Sequence, residues 1–137
     1  MSALQFRTLF RGSSGQIDDG PQGVFLIRDA ATFTAYWRIL TSGHCTAAGE
    51  PLLIPEPAVD LSTEAVVLVA IGRRPTTGCA VGIDRVLVDT DTLLVEATET
   101  APDGGFDMEV APAHLVAIRS QDVATGAVVL RLSVVTQ

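Results

Sequence analysis

Two adjacent guanidinium groups, a proline, two threonines, a glycine and a thiol make Gly72-Arg73-Arg74-Pro75-Thr76-Thr77-Gly78-Cys79 the most distinctive stretch of the chain. Paired arginines suit recognition of carboxylates on a protein surface. Pro75 fixes its own φ, and Gly78 is free to take a positive φ and lead into the next strand, so the sequence predicts a rigid, protruding hairpin. The same residues also make a good turn with nothing bound to it. The two thiols are the only soft nucleophiles. Activating Cys45 or Cys79 would take a neighbouring base and an electropositive setting, and local spacing supplies neither. Cys79, at the start of a strand, reads as a small buried hydrophobe. His44-Cys45 needs a distant third ligand to hold a metal, and His114 lies far along the chain, so a solvent-facing loop histidine is the simpler reading. Serine-nucleophile, P-loop and dinucleotide glycine patterns are absent. The carboxylates of Asp18-Asp19-Gly20, Asp89-Thr90-Asp91 and Pro102-Asp103-Gly104 fall where turns use them, without the ligand ladder of a calcium loop. No cofactor, metal or catalytic residue is expected.

The elements that must position these residues are mostly strands. Leu4 to Phe10 alternates, placing Leu4, Phe6 and Phe10 on one face, and Gly23 to Arg28 forms a second strand after a Gly/Ser/Asp-rich turn. Phe33, Trp37 and Leu40 recur at helical spacing over Ala30 to Leu40, with Asp29 or Thr32 as the cap. Thr41 to Asp60, rich in Gly, Pro and Ala, reads as an ordered loop or edge segment. Ala65 to Gly72 is apolar without alternation, as a central strand covered on both faces would be. Cys79 to Val88 and Thr92 to Thr98 form a meander about Asp89-Thr90-Asp91. Short strands are expected at Phe106 to Val110 and His114 to Ile118. The last, Ala127 to Val135, points Val128, Leu130, Leu132 and Val134 one way. The fold expected is mainly β, an antiparallel β-sandwich or rolled sheet of about eight short strands with one amphipathic helix, as a single domain over residues 1–137.

Composition narrows the partners. With 137 residues at 47% apolar and a mean hydropathy of +0.37, the chain has the material for one core. Sixteen carboxylates against nine basic groups, all arginine, give a net charge of −7, which argues against a nucleic-acid partner, whose affinity rests on neutralised phosphates. The longest charge-free apolar run, 65–72, is far too short to span a bilayer, and MSALQFRTLFRG has no apolar signal region. The chain as written is expected in the cytoplasm, or in the periplasm or outside the cell if a leader has been removed. Two cysteines are too few for a disulfide framework, and a single Cys45–Cys79 bridge stays open.

A resemblance adds to this reading. Pro55-Glu56-Pro57-Ala58-Val59-Asp60-Leu61-Ser62, then Val66 to Gly72, then Pro75-Thr76-Thr77-Gly78-Cys79 resembles the PrcB family, named for a subunit of a bacterial secreted-protease complex. The likeness runs upstream through Trp37 and downstream through Leu93-Leu94-Val95 and Ala111 to Val116. It departs at Thr77, where the family has Gly, at Cys79, where it has Tyr, and at Leu61, where it has Phe. The resemblance implies a non-catalytic protein-interaction domain, an assembly or stability subunit of a protease complex, meeting its partner through Arg73, Arg74, Pro75, Thr76, Thr77, Gly78 and Cys79. Pro75-Thr76-Thr77-Gly78 is also similar to a loop of the chagasin-like cysteine-peptidase inhibitors, and Asp103-Gly104-Gly105 to their Gly-rich second loop. That alternative implies a peptidase inhibitor, with Gly104 and Gly105 joining the binding surface. It lacks the third inhibitor motif near Arg119.

Overall fold

A computed structural model describes residues 2–18, 20–102, 108–119 and 127–136. Two four-stranded sheets pack face to face. Sheet A has the order β1 (Ser2–Leu4), β5 (Ala80–Asp89), β6 (Thr92–Ala101), β8 (Val128–Thr136). Sheet B has the order β2 (Arg7–Ser13), β7 (Pro112–Arg119), β4 (Glu64–Ile71), β3 (Gln22–Ile27). The mainly β, sandwich-like fold expected from the sequence is therefore present.

Strand β4 shows why its sequence has no alternation. Ala65, Val67, Val69 and Ile71 face the core between the sheets, against Val81, Ile83 and Val86 of β5 and Leu93, Val95 and Ala97 of β6. Val66, Leu68 and Ala70 face the opposite way, into a second core beneath helix α1 (Ala30–Thr41). An apolar side chain is favoured at every position because both faces are dry. The helix buries Phe33, Trp37 and Leu40. Its cap is Asp29, whose carboxylate accepts from the Thr32 N–H at 2.8 Å and the Thr32 hydroxyl at 2.7 Å. Those bonds hold the Asp29 carboxyl below its usual range, the backbone bond contributing most. The segment from 42 to 63 is a loop folded over this layer, with Ile54, Val59 and Leu61 partly buried against the second core and Ile54 O accepting from Trp37 Nε1 at 2.9 Å.

Four local expectations need correcting. The Leu4–Phe10 strand is two strands in different sheets. A register shift between Thr8 and Phe10 turns Phe10 away from the core that Leu4 and Phe6 join, placing it edge-on to Trp37 at 6.1 Å. The sandwich is not wholly antiparallel, because β8 runs parallel to β6 from Leu93↔Val128 to Ala101↔Thr136. Residues 73–79 are not a hairpin, since β4 and β5 belong to different sheets and the segment crosses between them. Finally, the glycine with positive φ at this connection is Gly72 (φ +77°), where β4 ends, rather than Gly78. The strand expected at Phe106 to Val110 lies partly outside the described residues. Val110 within it makes an isolated bridge to Arg74.

Candidate functional site

The crossover from sheet B to sheet A is braced from behind. At its start, Arg73 forms ion pairs with Asp18 and with Glu109, the latter at 3.1 Å. Arg74 is fixed twice. Its backbone pairs with Val110 in both directions, at 2.7 and 3.0 Å. Its guanidinium donates in a fork to Glu99 of β6, Nε to Oε2 at 2.5 Å and Nη2 to Oε1 at 3.0 Å, and Nη1 reaches Arg73 O at 2.9 Å. Glu99 is only 7% exposed, so this bidentate pair supplies the countercharge that a buried carboxylate requires. The same hydrogen bonds raise the pKa of Arg74 above its ordinary value, against the opposing effect of burial.

Beyond Arg74 the chain makes a tight turn. The Cys79 N–H donates to Thr76 O at 3.2 Å, and the Thr76 hydroxyl lies 3.5 Å from the Cys79 sulfur. Pro75, Thr77 and Gly78 are exposed, while Thr76 and Cys79 are half-buried. Gly78 sits against Pro102, and a Cβ there would fall 2.4 Å from the proline Cγ. Behind the turn is a cavity of about 160 Å³, with Arg11, Thr77, Cys79, Val110 and Pro112 in its wall.

All seven loop residues expected at the site, Arg73, Arg74, Pro75, Thr76, Thr77, Gly78 and Cys79, therefore lie at one end of the sandwich. Their roles differ from the sequence reading. The arginines are not a free pair of cations: both are spent on carboxylates of the same chain, and Arg74 is part of the scaffold. The exposed tip is Pro75, Thr77 and Gly78. Gly104 and Gly105 lie outside the described residues. Glu99 and Val110, which hold the loop, were not among the expected site residues, because nothing local to the Arg-Arg pair points to a carboxylate two strands away.

The other groups with chemical potential are separate. Cys45 and Cys79 are free thiols, so the bridge left open between them is not formed. Cys45 is exposed and its Sγ donates to Gly43 O at 3.6 Å. His114, on β7, is 3% exposed between the sheets. Its Nδ1 accepts the Ile83 N–H at 2.8 Å, which assigns the proton to Nε2, 2.9 Å from the Thr8 hydroxyl. Burial, with the nearby Arg11 charge adding to it and Asp84 opposing, pushes the His114 pKa down to about 4. This imidazole ties sheet A to sheet B. A cleft of about 470 Å³ opens between α1 and the loop that follows, with Trp37, Arg38, His44 and Ile54 in its wall and Leu52 and Leu53 exposed at its rim. Among the described residues, no three His, Cys, Asp or Glu side chains are placed to hold a metal ion, and no helix is long and apolar enough to cross a membrane.

Comparison with protein-family models, curated proteins and solved structures found no match to this chain.

Proposed function

We propose that the chain is a non-catalytic protein-interaction domain that offers the turn Pro75-Thr76-Thr77-Gly78 to a protein partner. The observation that carries this reading is the bracing of the loop: Arg74 is held by Glu99 and Val110, while Pro75, Thr77 and Gly78 face solvent. A segment ordered before it binds loses little entropy on docking. Loops at the end of a β-sandwich are a common place for recognition. The side chains on offer are threonine hydroxyls, an apolar proline and the Cys79 thiol in hydrogen-bond contact with the Thr76 hydroxyl, which suit contact more than bond breaking. The resemblance to the PrcB family directs the search for a partner toward a protease or its maturation complex, with the domain as an assembly or stability subunit.

The test is a quantitative pull-down from the native host with three baits: wild type, Pro75→Ala/Thr77→Ala, and Leu52→Ala/Leu53→Ala. A partner retained by wild type and the Leu52/Leu53 variant but lost by the loop variant supports the proposal. Equal recovery by all three baits refutes it. A papain titration separates the inhibitor reading. The tip presents no aromatic side chain, and the arginines that would serve as anchors are engaged elsewhere. No papain inhibition is expected at micromolar domain. Tight inhibition abolished by the loop variant would establish the chagasin-like alternative.

A further inference from the structure

The edges of the two sheets are not alike. β1 has three residues, β2 has a register shift and carries Arg7 and Arg11, and β3 contains Gly23 at φ +126°. Short length, irregularity and charge are the features that discourage pairing at a sheet edge. Strand β8 is neither short nor irregular, and it carries little charge. Its nine residues, Val128–Thr136, run in unbroken register along β6 with no proline, no glycine and a single charge, Arg131. It carries four of the seven exposed large hydrophobic residues among those described: Val129, Leu132, Val134 and Val135. Val128 and Leu130 pack on the inter-sheet core, whereas Leu132 and Val134, on the same face of the strand, are 37% and 62% exposed.

The backbone shows which groups are available. Leu93 N donates to Ala127 O at 2.9 Å, which opens the parallel ladder and directs the amides of odd-numbered β8 residues toward β6. The N–H and C=O groups of Val128, Leu130, Leu132, Val134 and Thr136 therefore point to the outer edge. Among the described residues no strand pairs with that edge.

We propose that a second copy of this chain pairs there, β8 against β8 and antiparallel about a two-fold axis at Leu132, joining the two A sheets into one. The argument for a second copy is self-complementarity. Centred on Leu132, Leu130 faces the partner copy's Val134, and Val128 faces its Thr136. These and the central leucines are hydrogen-bonded pairs that use every outward amide of the strand, roughly ten bonds in all. Between them Val129 faces Val135, and Arg131 faces Ser133, so no like charges meet. Centring the axis on Arg131 would instead oppose two guanidiniums. Leu132 and Val134, which the sandwich leaves uncovered, would lie opposite the partner copy's Leu132 and Leu130. A closed two-fold assembly also removes the edge that would otherwise template open-ended association.

Sedimentation velocity on the full chain across the micromolar range tests this. Ser133 is exposed, so its substitution leaves the protomer folded, as far-UV circular dichroism would verify. Ser133→Arg places a second cation opposite Arg131 and is expected to raise the dimer dissociation constant roughly tenfold or more, whereas Ser133→Asp lowers it. Register is read by disulfide trapping in a Cys45→Ser background. Val129→Cys mixed with Val135→Cys gives a cross-linked dimer on mild oxidation, while neither variant does so alone. A chain that stays monomeric throughout, a dimer indifferent to both Ser133 changes, or cross-linking by either cysteine variant alone overturns the proposal.

Discussion

Lowering the pH from 7 to 4 should weaken the sandwich through a single imidazole. His114 is buried, and its Nδ1 lone pair is already committed to the Ile83 N–H. A proton on Nδ1 would set two donors against each other and place a charge between the sheets beside Arg11. Asp84 gives partial compensation. The pKa is lowered from 6.5 to about 4 in the folded chain. Between those values the unfolded chain binds the proton and the folded chain does not, so stability is full above pH 6.5, falls as the pH drops toward 4, and loses no more to this group below it. A gap of that width is worth about 3 kcal/mol. The assay is urea denaturation of wild type and His114→Gln at several pH values from 7 to 4. The variant starts less stable because its amide fits the site poorly, but its stability changes less with pH. The carboxylates held low in the native state, Asp29, Asp60 and Glu64, affect both proteins alike as the pH nears 4, so the difference isolates the imidazole. If the two stability curves run parallel across this window, His114 is not the titrating clamp described.

Two further outcomes follow from the crossover. Arg74→Ala leaves Glu99 buried without its countercharge and should cost about 2–3 kcal/mol in a denaturant titration, whereas Arg73→Ala, which removes two exposed ion pairs, should cost under about 1 kcal/mol; similar losses for both would contradict the scaffold role of Arg74. Gly72→Ala should lower stability by about 1 kcal/mol or more because an L side chain is strained at φ +77°, and an unchanged denaturation midpoint would remove Gly72 as the turning point of the crossover.

What could be read from the sequence was what individual strands and the helix bury. The unbroken apolar run of β4, the Phe33/Trp37/Leu40 stripe and the Asp29 cap each follow from local physics, and each stands where expected. Strand direction and sheet membership are different quantities. The alternation of Val128, Leu130, Leu132 and Val134 is the same whether β8 runs parallel or antiparallel to β6. A one-residue slip at Thr8/Phe10 leaves no compositional trace, yet it sends Phe10 to the other core. At 73–79 the residues announce a turn, but turns within a sheet and crossings between sheets draw on the same proline, threonine and glycine. The candidate site was legible as a place and not as a mechanism. Its decisive contact, Arg74 with Glu99, joins residues whose meeting depends on the whole sandwich closing.

The register of β2 carries a consequence for synthesis. Arg7 pairs with Ala117 and Gly12 with Ala113, so β2 is made long before the strand it pairs with in sheet B. The β4 strand likewise waits for β7, since Glu64 lies opposite Arg119 and Ala70 opposite Ala113. Until that far strand emerges, the nascent chain holds β4 paired on one side by β3 alone, with apolar faces above and below it. Loop-closure entropy for both ladders is then met late, which slows folding. A chain stalled before residue 112 is accordingly the form most in need of a chaperone.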